Sequence, residues 1–217
     1  MLTKNTEILR AEVERHLAAD ALVKGRYWTA GSGAAGGTGC FIGCLTHSRD
    51  PAPAFERFGL PIELLRVAEN IFEALPEADG KAFFAALPDA VGRDGKDLRR
   101  VVWAFLAAEL RALPRTTDAV QAVIDPVIAG MDLLAAGKNW PDAARAAYAA
   151  RAARAAYAAY AAARAAYATA DAAYAAYAAD AAYAAYAATY AARADADAAY
   201  AARLRQRDTL LALIAAA

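Results

Sequence analysis

Cysteine and histidine are scarce in this chain, with two of each in 217 residues. Two cysteines exclude the disulfide framework that staples small secreted domains. Net charge is missing too. Lys plus Arg and Asp plus Glu both number 24, so no overall field draws in nucleic acid or an anionic membrane. No strongly apolar run reaches the roughly 18 residues of a spanning helix. The stretch MLTKNTEILRAEVER is charged and periodic, unlike a signal peptide, and the expected location is the cytoplasm. Sustained period-two alternation rich in β-branched residues is also absent, so the expected fold is all-α.

Glycine and proline stop at one point. Both are frequent up to Trp140-Pro141, and neither occurs after it. The composition therefore predicts two parts: residues 1–140, a helical globular domain, and residues 141–217, an Ala/Tyr-rich helical repeat segment. In the first part, spacing predicts a helix from Thr3 to Val23, capped by Thr3 or Asn5, with Gly25 as its C-terminal glycine. Leu9, Val13 and Leu17 form its apolar stripe, and His16 and Asp20 fall on the same stripe. Glu12, Glu14 and Arg15 are expected to point elsewhere. Further helices are predicted from Pro61 to Leu75, over KAFFAALP, over DLRRVVWAFLAAELRALP, and from Thr117 to near Gly137, with a kink at Pro126.

Residues 142–203 use only Ala, Tyr, Arg, Asp and Thr. Alanine is the best helix former, and no residue here breaks a helix. Tyr160, Tyr167 and Tyr174 repeat every seven residues, as do Tyr183 and Tyr190, which implies helices packing on helices. Arg145, Arg151, Arg154 and Arg164 precede Asp171, Asp180, Asp195 and Asp197, an order that opposes the dipole of a single rod. An antiparallel hairpin turning within 169–180, or coiled-coil-like pairing of two chains, would match the signs. Leu204, Leu211 and Ile214 then restore an apolar face that should dock.

Three of the four Cys and His residues fall in GCFIGCLTH, residues 39–47. If that stretch is helical, Cys40, Cys44 and His47 share one face at i, i+4 and i+7. Glycines 39 and 43 would admit a neighbouring backbone. Cys40 would lie in the first helical turn, where thiolate is stabilised. Such donors suit a transition metal such as zinc, which wants a fourth ligand. His16 is the expected fourth, with Asp20 behind it to hold an imidazole. The alternatives are plain core packing, since cysteine behaves as a small hydrophobe, and a reactive thiol assisted by His47.

Other motifs carry less. GSGAAG, residues 31–36, matches G-x-G-x-x-G without the strand and βαβ unit that a dinucleotide site needs. Glu69 and Glu73 lie one turn apart and read as a surface pair. Interleaved Arg and Tyr could stack on single-stranded nucleic acid, but the aspartates cancel the arginines, so nucleic acid is not an expected partner. No G-x-S-x-G, H-E-x-x-H or P-loop occurs.

The order His16-x-x-x-Asp20, Gly39-Cys40-x-x-Gly43-Cys44-x-x-His47, Gly59-Leu60-Pro61, Ile71-Phe72-Glu73-x-Leu75-Pro76, then an Ala/aromatic tail, resembles a family of uncharacterised bacterial and phage-encoded proteins. The G-C-x-x-G-C-x-x-H element is the most specific part. This chain departs from the family in a longer glycine-rich loop before Cys40 and in Ala where Ser is common. The resemblance implies an order of motifs and no reaction.

Two functions of different class stay open at this point. One is a structural or binding protein whose tail mediates internal packing or self-assembly into a homo-oligomer. The other is a metal- or thiol-centred protein, conceivably a small enzyme, built on Cys40, Cys44 and His47.

Overall fold

The computed structural model describes residues 1–31, 36–115, 117–141 and 196–217. Among them are eight helices and one two-stranded ribbon, so the fold is all-α. The tyrosine heptads, the hairpin and the tail-mediated assembly expected over 142–195 lie outside the described residues. The chain divides into two compact units, Met1–Val101 with Arg203–Ala217, and Val102–Ala202. No helix among the described residues is long and apolar enough to cross a membrane.

Helix α1 spans Thr6–Ala18. Its N-terminus is not capped by the side chain of Thr3 or Asn5. The Thr6 amide instead donates to Asp94 Oδ1 at 2.9 Å, while the Thr3 hydroxyl donates to the Arg93 carbonyl. Its C-terminus falls well before Val23. Asp20 adopts φ 49°, its amide donates to the Leu17 carbonyl, and the Ala21 amide reaches back to the His16 carbonyl at 2.9 Å. That is the left-handed stop usually supplied by glycine; aspartate tolerates the conformation better than most residues. Gly25, expected to end the helix, instead donates its amide to the Glu73 carboxylate.

The chain then forms β1 (Trp28–Ala30) and β2 (Gly37–Gly39), paired antiparallel with Trp28 opposite Gly39. These strands were not expected: at three residues each, they are too short to display a period. GSGAAG belongs to the connection between them, where the Gly31 amide donates to the Gly36 carbonyl. Because β1 and β2 pair antiparallel, they do not supply the parallel strands of a βαβ unit.

Helix α2 (Phe41–Thr46) follows, then α3 (Ala52–Phe58), α4 (Ile62–Ala74) and α5 (Glu77–Val91). Helix α4 buries Leu64, Leu65, Val67, Ala68, Ile71 and Phe72. Helix α5 extends well beyond KAFFAALP at both ends. At the centre of the first unit, Phe41 meets Phe72, Phe83 and Phe84 with ring centroids 6.1, 5.3 and 5.1 Å away. Tilted and edge-on aromatic pairs of this kind add to plain area burial.

In the second unit lie α6 (Val101–Arg111, from its second residue on) and α7 (Asp118–Ala135). Helix α7 starts after Thr117 and ends just short of Gly137, as predicted. Arg111 pairs with Asp132. Gly130 lies flat against Trp140, since a Cβ there would fall 2.3 Å from the indole.

Helix α8 spans Ala196–Ala216. Its apolar face is covered, but it runs through Leu210 and Ile214, both fully buried, with Leu204 and Leu211 only half-buried. Gln206 and Arg203 complete the buried line and hydrogen-bond each other. Lys96 donates to the Ile214 and Ala215 carbonyls at 2.7 and 2.9 Å, placing a cation at the negative end of the helix.

The tightest approach in the first unit is between α2 and the backbone of Tyr27. A Cβ on Gly43 would sit 1.4 Å from the Tyr27 carbonyl oxygen, and one on Gly39 would sit 2.2 Å from it. These two glycines do admit a neighbouring backbone. Gly43→Ala should therefore cost about 3 kcal/mol or more through overpacking, read as a fall in the urea midpoint.

Candidate functional site

The short length of α2 decides where its chemistry goes. Cys40 is extended (φ −73°, ψ −171°) and His47 is left-handed (φ 54°), so neither is within the helix. The shared face expected for Cys40, Cys44 and His47 is therefore broken. The cysteines turn inward, and His47 swings toward α1.

His47 meets His16 there. Their Nε2 atoms are 3.2 Å apart. His16 is completely buried, and its Nδ1 lies 2.7 Å from the Glu12 carbonyl oxygen one turn back. A carbonyl only accepts, so Nδ1 carries the proton. Nε2 of His16 then presents its lone pair to His47. Trp28 stacks on the His47 ring at 4.3 Å with planes 13° apart and meets His16 edge-on. The indole has room because Gly37 and Gly39 have no side chains. A Cβ on Gly37 would come 2.6 Å from the Trp28 ring, and one on Gly39 would come 3.0 Å from it.

Glu12 closes the cluster. Its carboxylate lies 3.9 Å from His16 Nδ1 and accepts from Arg15 and from Arg57, the latter at 2.8 Å. Arg15 also comes within 3.4 Å of His47 Nε2. One donor atom from each of Glu12, His16 and His47 lies within 4.8 Å of the others. Partial burial works to raise the Glu12 carboxyl, but the bonds and charges of Arg15 and Arg57 outweigh it and hold the group below the usual carboxylate range. Burial lowers both imidazoles, and for His47 the neighbouring His16 and Arg15 push the same way. Both rings are thus neutral at physiological pH, with lone pairs available.

Sequence reasoning expected Glu12 to point away and did not single out Trp28 or Arg57. The spacing of Glu12 and His16, at i and i+4, was the available signal.

The cysteines form a different environment. Cys40 lies near Glu69 and Glu73, with one donor atom of each within 4.8 Å of the others. Glu69 is not a surface residue: it is 8% exposed, and it accepts the Ile42 amide at 2.8 Å. A carboxylate from α4 thus satisfies an open amide at the start of α2. Glu73 is committed to the Gly25 amide. Cys44 Sγ donates to the Gly39 and Ala21 carbonyls at 3.3 and 3.7 Å. Burial pushes both thiols upward, with the Glu69 charge adding to it; Cys44 reaches about 12, and Cys40 lies higher still. The lowered thiol pKa expected for a helix terminus is reversed here by burial beside an acid.

Asp20, expected behind an imidazole, is instead the left-handed residue that ends α1. Its side chain faces solvent and pairs with Lys81 at 2.7 Å. Of the five residues singled out, the structure brings His16 and His47 together. It places Cys40 and Cys44 in the packed interior and Asp20 at the surface.

No protein-family model, curated protein or solved structure matches the chain.

Two outcomes follow. Neither thiol should react with a maleimide or Ellman's reagent in the native chain, and both should react in denaturant. Stability should also fall on mild acidification. Both imidazoles titrate below 6.5 in the folded chain, so the unfolded chain binds protons first as pH drops below that value. The urea midpoint should be level above pH ~6.5 and decline below it, before carboxylate protonation begins. His16→Asn should flatten that decline.

Proposed function

We propose that the protein is built around a divalent transition-metal centre in which Glu12, His16 and His47 are the ligands. Imidazole and carboxylate donors suit zinc and its neighbours in the series. The observation that carries the reading is the 3.2 Å separation of the two Nε2 atoms. Two nitrogens bound at about 2.05 Å to a tetrahedral ion lie about 3.3 Å apart. Such a gap needs little rearrangement to hold an ion. The bond from His16 Nδ1 to a backbone carbonyl is the contact that usually orients a ligating histidine. Trp28 does for His47 what that bond does for His16, fixing the plane of the ring.

Three ligands leave a coordination position open. His16 is enclosed, Glu12 is half-buried and His47 is exposed, so the open side faces solvent. An ion held by two histidines and one carboxylate with an open position activates water or polarises a bound oxygen. Metal-assisted hydrolysis is the reaction class this arrangement favours. The cysteines take no part, since their sulfurs are committed to packing and to backbone carbonyls.

Cobalt(II) titration of untagged protein tests this directly. One equivalent should bind, with visible d–d bands of a low-coordinate N/O site and no thiolate charge-transfer band. Glu12→Gln and His47→Ala should weaken binding at least about tenfold, while Cys44→Ser and Asp20→Gly should not. A thiolate band, or no bound metal in the wild-type chain, would reject the assignment.

A further inference from the structure

We propose that Lys24 is a carbonyl-reactive amine, which forms an imine with a small uncharged aldehyde seated in the cavity beside it. This site shares no residue with the metal centre and does not depend on it.

The cavity holds about 170 Å³ and is built from three elements. Leu22, Val23 and Lys24 follow α1, Phe72 lies on α4, and Glu77 and Lys81 lie on α5. Leu22 and Phe72 are buried and Val23 is half-buried, so much of the wall is apolar. An apolar cavity of about 150 Å³ takes up benzene, and a molecule of that size fits here.

Two lysines line the cavity, and their amines are used differently. Lys81 donates to Asp20 Oδ1 at 2.7 Å and to Glu77 Oε1 at 2.8 Å. Those bonds hold it above the usual lysine range, as a committed cation. Lys24 Nζ reaches only the Glu73 carbonyl, at 3.5 Å, the far end of hydrogen-bond range. It lies 5.8 Å from the centroid of the Phe72 ring, and among the described residues no carboxylate pairs with it. Burial lowers its pKa, outweighing the charges of Glu73, Glu77 and Asp79, which act the other way. A lysine desolvated against an apolar wall and left without an ion pair is the form in which this side chain attacks carbonyls.

The same three carboxylates set the charge of the partner. They act on Lys24 without neutralising it by contact. An incoming anion would meet their repulsion, and an uncharged carbonyl would not. The step balances without a further reagent. The Lys24 nitrogen lone pair adds to the carbonyl carbon, forming a C–N bond, while the π electrons move to oxygen. The C–O bond then breaks, and both amine protons leave on that oxygen as water. Glu77, on the cavity wall, can relay them.

Benzaldehyde with sodium cyanoborohydride, at neutral pH on the full chain, tests this. The hydride reduces any imine to a stable secondary amine, and peptide mass spectrometry reads each lysine separately. Lys24 should be labelled several-fold faster than Lys138, which is exposed, with Lys81 slower than both. The anionic 4-carboxybenzaldehyde should lose the preference for Lys24. Lys24→Arg, which keeps the cation, should abolish the fast label and leave Lys138 unchanged. Lys138 labelled level with Lys24 or ahead of it would overturn the proposal. Equal preference for Lys24 with both aldehydes would overturn the choice of an uncharged partner. A preference that survives in denaturant would come from local sequence and reject the cavity.

Discussion

The first unit depends on one close approach, the Tyr27 backbone laid against Gly39 and Gly43. No side chain fits at either glycine, because the space is occupied by a carbonyl. The same approach fixes β1 beside β2 and carries Trp28, the next residue, over His47. It also holds α2 where the Cys40 amide can donate to the Arg26 carbonyl at 2.8 Å. Gly37, Gly39 and Gly43 thus clear a seat for a backbone and an indole, and that seat orients a histidine. Backbone clearance of this kind fixes position without side-chain hydrogen bonds.

Burial then separates two kinds of chemistry that lie close together in sequence. Cys40 and Cys44 face the apolar interior, where the thiolate form is costly and the nearby Glu69 makes it costlier. His47 lies just beyond the same helix, on its exposed side. A single left-handed residue at the end of α2 produces the division. Continued helix would have stacked His47 on the cysteines. A non-glycine residue held at φ 54° carries a backbone cost, offset here by the indole stack and by the His47 amide bond to Gly43 at 2.8 Å. Asp20 repeats the device at the end of α1, and there it sends a carboxylate out to Lys81.

Much of the fold was legible because its signals are local. Pro61 marks the start of α4, and Thr117 and Gly137 bracket α7. The misses come from tertiary effects that override a local rule. Asp20 took a position that reads as glycine's, so α1 stopped short of Val23. Two three-residue strands have no period to read. Glu69 looked like half of a surface pair because its partner, the Ile42 amide, lies far away in sequence. At the site, the scarcity of histidine pointed to His16 and His47, which the fold brings within 3.2 Å of each other, while the regular spacing of GCxxGCxxH suggested a common face that the backbone does not provide. Glu12 was in register with His16 all along, one turn earlier on the same helix. It was set aside because it flanks the apolar stripe, yet a carboxylate beside a buried histidine needs that flanking position to reach solvent and cations.

That position gives the cluster its balance. Glu12 pairs with Arg15 and Arg57 and lies beside both histidines. A fully exposed carboxylate would be screened by water and would hold Arg15 and Arg57 weakly. A fully buried one would be driven toward its neutral form. Half-buried, it stays ionised and draws both guanidiniums inward. Burial chiefly lowers His47, with His16 next, and the guanidiniums of Arg15 and Arg57 push the same way. The arrangement keeps two nitrogen lone pairs and one carboxylate deprotonated at neutral pH, which is the state a metal ion requires of its ligands.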